Sequence, residues 1–118
     1  MIEKIAKEFG KKIIDCEKED QYIKANGMRF YINASHLAGD EIILGLYKDK
    51  KKRLISFFHE IGHILIDDKF REDNEDPFLF ELEASHRGIK FAKERGIEFP
   101  KKIKQWLYRQ AISYIDYK

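Results

Sequence analysis

His59-Glu60-Ile61-Gly62-His63 is the stretch of this chain best equipped for chemistry. On a helix, residues four apart lie on one face, so both imidazoles can turn towards a single ion. Neutral imidazole is a good zinc ligand, and a pair of them leaves space for a third ligand and a water. Glu60 is offset round the helix from His59 but is long enough to reach that water. Zinc lowers the pKa of a bound water towards neutrality, and the carboxylate takes the proton as hydroxide attacks a carbonyl. The expectation is one zinc ion per chain, with Glu60 as general base for hydrolysis. An exposed helix with two solvated histidines is a poor alternative. Phe57, Phe58, Ile61, Ile64, Leu65 and Ile66 make the segment apolar nearly all round, a setting in which unpaired polar groups are costly.

A catalytic zinc needs a third protein ligand. Lys69 stands where the metzincin pattern has its last histidine, so that pattern does not apply. Asp67 is four residues beyond His63 on the same face. Three ligands from one straight helix would, however, spread over about 12 Å at roughly 1.5 Å rise per residue. Asp67 therefore reads as a charge near the cleft or a partner behind a ligand. The next helix offers Glu81 and Glu83, two apart and unable to face one ion together. Small Ala84 beside Glu83 permits close helix packing, which favours Glu83. Gly62 weakens a helix interior by roughly 1 kcal/mol relative to Ala. Close approach of a backbone or substrate, or packing of another helix, would each explain its presence.

Several elements must position these groups. Ile2, Ile5, Ala6, Phe9 and Ile13 have helical spacing and predict an amphipathic helix over 2–13, ended by the charged run Asp15 to Asp20. Tyr22 to Lys24 and Met28 to Ile32 flank Asn26-Gly27, a hairpin turn signal, and Ile42 to Tyr47 reads as a third, buried strand. The loop between, Asn33 to Asp40, carries His36. Leu54, Phe57, Phe58, Ile61, Leu65 and Ile66 mark the motif-bearing helix, which Asp67-Asp68 and the polar run Arg71 to Asp76 end. Pro77 opens a helix with Phe78, Leu82, Ile89 and Phe91 as candidate core, and Gly96 closes it. Pro100 opens a last helix carrying Ile103, Trp106, Leu107, Ala111 and Ile115. The layout predicts one α+β domain over 1–118: a small antiparallel three-stranded sheet packed with about four helices, the motif on the central one.

Composition narrows the setting. The 118 residues suit one domain, 43% of them are hydrophobic with nine Phe and six Tyr to build a core, and a 37% charged fraction covers it. A net charge of +2 gives no broad case for direct nucleic-acid or anionic-membrane binding. The lone Cys16 excludes an internal disulfide and, with a charged N-terminus lacking a signal-length apolar run, predicts a cytoplasmic protein. No stretch is long and apolar enough to span a bilayer. His36 reads as an ordinary loop histidine, with donation to an oxyanion as its alternative, and His86 as either a helix-surface histidine or a partner behind a ligand. The basic run Lys48 to Arg53 reads as solvated charge, and Tyr108, Tyr114 and Tyr117 read as core or rim.

Taken together, Leu54 to Ile66 and the downstream Glu81-Leu82-Glu83-Ala84-Ser85, with Phe91-Ala92 beyond, resemble the ImmA/IrrE family of metallopeptidases. The family pairs HExxH with a downstream glutamate before Ala and usually Asn or Asp. Ser85 departs from that residue, Phe91-Ala92 lies further on than usual, and Asp67 stands where many members have histidine. The resemblance implies a zincin-like fold, a zinc ion on His59, His63 and Glu83, and Glu60 as catalytic base. It implies an intracellular protein substrate as well, often a helix-turn-helix repressor of the Xre type. The competing reading is a zinc-containing toxin or regulatory module that binds such a partner without turnover. The presence of Glu60 favours catalysis, because a purely structural zinc has no need of it.

Overall fold

The computed structural model of this chain describes residues 1–15, 22–25, 28–31, 36–45 and 47–112. It forms two compact units, Met1–Phe57 and Phe58–Lys118.

In the first unit, helix α1 spans Ile2–Glu8 and buries Ile2, Ile5 and Ala6. It stops well short of residue 13. Gly10 adopts φ +69°, its N–H donates to Lys7 O at 3.0 Å, and Lys11 N–H donates to Ala6 O at 2.9 Å. This left-handed glycine closure outcompetes the helical spacing of Ile13, which falls instead in strand β1, Lys12–Asp15. Strands β2 (Tyr22–Ala25) and β3 (Met28–Tyr31) pair antiparallel as a separate two-stranded ribbon, as the sequence suggests for this pair. The intervening Asn26-Gly27 lies outside the described residues, as do Cys16, Tyr114, Ile115 and Tyr117.

The predicted antiparallel three-stranded sheet is not what forms. Strand β5 (Glu41–Leu44) is central to a sheet of order β1-β5-β4, parallel to β1 and antiparallel to β4 (His36–Ala38). His36 thus opens a strand and does not sit in a loop. The register Ala38↔Glu41 leaves Gly39-Asp40 as a two-residue turn, with Gly39 at φ +62°. Ile42, Ile43 and Leu44 are fully buried, as suits a central strand, and such a strand can recruit a neighbour distant in sequence. Arg53 donates two hydrogen bonds from one nitrogen to the Asp15 carboxylate at 2.7 and 2.9 Å, tying the end of β1 to the first turns of helix α2 (Lys50–Leu65).

The second unit holds the rest of α2 and three further helices, so the described residues contain five helices where about four are expected. The addition is α3, Asp68–Asp73, inside the supposed polar terminator. Asp67 caps it by accepting Phe70 N–H at 2.8 Å, and it buries no residue of its own. Helix α4 (Pro77–Glu94) starts at Pro77 under an Asp76 cap and closes at Gly96, φ +82°. Helix α5 (Lys101–Ile112) buries Ile103 and Leu107, while Trp106 is half-buried. Phe58 packs against Phe91 and Phe99 with ring centroids 6.2 and 6.0 Å apart. The buried residues of α4 are Ala84, Ser85, Gly88 and Ala92; the large Phe78, Leu82, Ile89 and Phe91 are only half-buried. No helix among the described residues is long and apolar enough to cross a membrane.

Candidate metal centre

His59 and His63 lie on α2 and, as their spacing requires, on one face; their ring centroids are 4.8 Å apart. The face they present meets α4 at a crossing with no side chain between the two backbones. A Cβ placed on Gly62 would come within 1.8 Å of Ala84 O, and one on Gly88 within 2.0 Å of Phe58 O. Of the two accounts that the sequence leaves open for Gly62, helix packing is the operative one. The approach is reciprocal, each helix offering its glycine to a carbonyl of the other.

That crossing decides which glutamate joins the histidines. Glu81, Ala84, Ser85 and Gly88 have i, i+3, i+4, i+7 spacing and share one face of α4. The Glu81 carboxylate is held between the two imidazoles, with Oε2 on His63 Nε2 and Oε1 3.6 Å from His59 Nε2. One donor atom from each of His59, His63 and Glu81 lies within 4.8 Å of the others, a group positioned to bind a metal ion. Glu83, favoured by the sequence, faces elsewhere. It accepts a hydrogen bond from Arg87 Nε at 2.6 Å and does not belong to the cluster. Ala84 does permit close packing, but the packed face includes the residue three before it and not the one beside it.

The donor set fits a metal. His59 Nδ1 lies 2.8 Å from the fully buried Ser85 Oγ, which leaves Nε2 as the nitrogen turned to Glu81. With a cation on the Nε2 lone pair, Nδ1–H would donate to Ser85 Oγ and hold the ring in that orientation. Two imidazole nitrogens and one carboxylate oxygen are a donor set that suits a divalent metal ion. Ser85 as a partner for His59 escapes the sequence reading. The available signal is its position four residues after Glu81, on the same face.

Glu60 is 4% exposed. Burial pushes its carboxyl above the ordinary range and the Glu81 charge adds to this, while His59 and His63 pull it back. For Glu81 burial also works upward, but hydrogen bonds from His59 and His63 outweigh it and hold the carboxyl far below its usual value. Burial lowers His63 while its hydrogen bond to Glu81 and the charges of Glu60 and Glu81 raise it; the net direction is upward. Glu60, His63 and Glu81 are thus all shifted within one cluster, a pattern concentrated at functional sites.

The other residues weighed in the sequence are placed as follows. Asp67 caps α3 and lies 3.4 Å from Arg87; accepting Phe70 N–H, and then the Arg87 charge, keep its carboxyl low. His86 is exposed and, with Glu83, Arg87, Lys90, Phe91, Glu94 and Leu65, lines an open groove of about 350 Å³. Tyr108 is half-buried, and burial followed by the Glu83 charge raises its phenol.

No model of a known family matches this chain, and neither does any curated protein or solved structure. The family resemblance drawn from the sequence rests on its motif residues alone.

Proposed function

We propose that this chain is a zinc-dependent endopeptidase of the ImmA/IrrE type, binding one metal ion through His59, His63 and Glu81. The observation that carries this reading is a buried glutamate of raised pKa, Glu60, next in sequence to one histidine of a His-His-Glu cluster. Three ligands suffice to hold a metal and leave a position for chemistry, and a second acid that does not ligate has no purpose in a closed structural site.

When bound, zinc would supply Lewis-acid polarisation of the scissile carbonyl and would make a water in the site more acidic. Glu60 accepts the proton that this water releases as its oxygen bonds to the carbonyl carbon. It then delivers the proton to the amide nitrogen as the C–N bond breaks. Burial raises the Glu60 carboxyl, which makes its carboxylate the stronger base for the first half of this task. Ser85 holds the His59 ring, and Glu81 carries the negative charge that keeps the ligand set attractive to a cation.

The proposed substrate is an intracellular protein, an Xre-type helix-turn-helix regulator, in the cytoplasm. Support for this part is the motif resemblance together with a net charge that makes no case for direct nucleic-acid binding. The experiment is co-incubation of such a regulator, encoded beside this chain, with wild type and Glu60→Gln, followed by mass analysis of fragments. Gln keeps the size but cannot act as base, so cleavage should fall by about 10²–10⁴-fold while zinc content stays at one per chain. Cleavage at an equal rate by both would remove Glu60 from the mechanism. Equal binding of the regulator with cleavage by neither would favour a module that acts without turnover.

A further inference from the structure

Two helices of this protein end on their own glycines, Gly10 after α1 and Gly96 after α4. Helix α2 does not. It stops at Leu65 and is followed by Ile66 and Asp67, and its local closure is one long bond from Ile66 N–H to His63 O at 3.4 Å. Side chains from two other helices reinforce it. Arg71 of α3 donates to His63 O at 3.1 Å, and Arg87 of α4 donates to Leu65 O at 2.8 Å. His63 belongs to this final turn, the part of a helix that frays most easily.

Arg87 does more than close the turn. Its Nε donates to Glu83 Oε1 at 2.6 Å, its fork lies 3.4 and 3.5 Å from Asp67 Oδ2, and its guanidinium stands 5.8 Å from the Phe70 ring centroid. Leu65 is two positions after His63, and Glu83 is two positions after Glu81. One planar group, with donors at fixed angles, therefore links the last turn of α2 to Glu83 of α4, two residues along each helix from the His63–Glu81 pair. We propose that Arg87, seated on Glu83, is a positioning residue for the metal centre, bracing the end of α2 against α4 so that His63 and Glu81 keep their ligating separation. It touches neither ligand and acts through the Leu65 backbone. The inference rests on the assignment of His59, His63 and Glu81 as ligands.

The test is Co²⁺ titration of the metal-free full chain, followed by visible d–d absorption well below the melting temperature. Wild type should bind one Co²⁺. Arg87→Met should weaken binding by about tenfold or more, in the range found when groups that orient ligands are lost. Arg87→Lys keeps the charge but not the fork and should recover only part of that loss. Glu83→Gln should weaken binding by a smaller factor and leave the band shape unchanged. If Arg87 only stabilised the fold, Arg87→Met would lower the melting temperature and leave these affinities at the wild-type value; that result would overturn the brace while leaving the ligands in place. Loss of the Co²⁺ band in Glu83→Gln would make Glu83 a ligand and would also overturn it. Absence of Co²⁺ binding by wild type would instead sink the ligand assignment. Should Arg87→Met fail to fold, Arg87→Lys and Glu83→Gln carry the comparison.

Discussion

The two sides of α4 use similar residues to opposite ends. On the side facing α2, Glu81 sits with Ala84, Ser85 and Gly88, is shielded from solvent and has its charge set by two histidines. Round the helix, Glu83 lies with His86, Arg87 and Lys90 along an open groove and is matched by an arginine four residues on. Two glutamates separated by one residue thus differ in neighbours, burial and role. Residue type does not make a ligand; the small residues that let a second backbone come close decide which carboxylate is brought to the histidines.

The largest effect should come from filling the crossing itself. Gly88→Val puts a branched side chain where even a Cβ meets Phe58 O at 2.0 Å, and neither backbone can yield cheaply. A loss above about 3 kcal/mol in denaturant unfolding is expected, together with loss of metal binding. Lys90→Val, on the exposed side, should stay within about 0.5 kcal/mol of wild type. Comparable losses for both would erase the distinction between the two sides.

Next in size is the ligand itself. Glu81→Gln should weaken metal binding at least about 100-fold, measured by competition with a chelating dye. Retention of wild-type affinity would remove Glu81 from the site and reopen the question of the third ligand.

The smallest effect is electrostatic and concerns the metal-free protein. Glu81 lies below its ordinary 4.5, so the stability it adds is present above that pH and lost as pH falls towards its folded value. His63 lies above its ordinary 6.5, so its share is present below that pH and lost as pH rises through its folded value. The pair contributes most between about pH 4.5 and 6.5. In the presence of chelator, the stability difference between wild type and Glu81→Gln should peak there, on the order of 1 kcal/mol. The Glu83–Arg87 pair has no such upper limit, since its cation does not titrate below pH 12. A flat difference across this range would show that the histidine contact carries no linked proton.

Sequence patterning was informative where chemistry is local. His59, Glu60 and His63 can be read directly, because four-residue spacing on a helix leaves their relation little freedom, and Pro77 and Gly96 frame α4 as expected. Patterning misleads where a partner distant in the chain decides. The register of α4 against α2 is written in Gly62, Ala84 and Gly88 together, and Ala84 alone points equally to either glutamate. In the sheet, apolar β5 is recognisable as buried, but its pairing with β1 is set by Gly10 ending the first helix and freeing Ile13 and Ile14 to extend. Helix α3 owes its start to the cap from Asp67, a residue that motif spacing presents as a candidate for the site.

The contact of Gly62 with Ala84 O and Gly88 with Phe58 O has a mechanical consequence. Where side chains separate two helices, the gap can be retuned by exchanging one rotamer or one methylene for another. Here the spacer is the main chain itself, and pressing it closer would distort bond angles, which are far stiffer than torsions. The crossing is therefore a hard stop. A cation bound by this cluster would have to be met by rotation about the side-chain bonds of His59, His63 and Glu81, and Ser85 already restrains the first of these. Discrimination among ions is then lodged in a few torsion angles, while the distance between the helices stays constant.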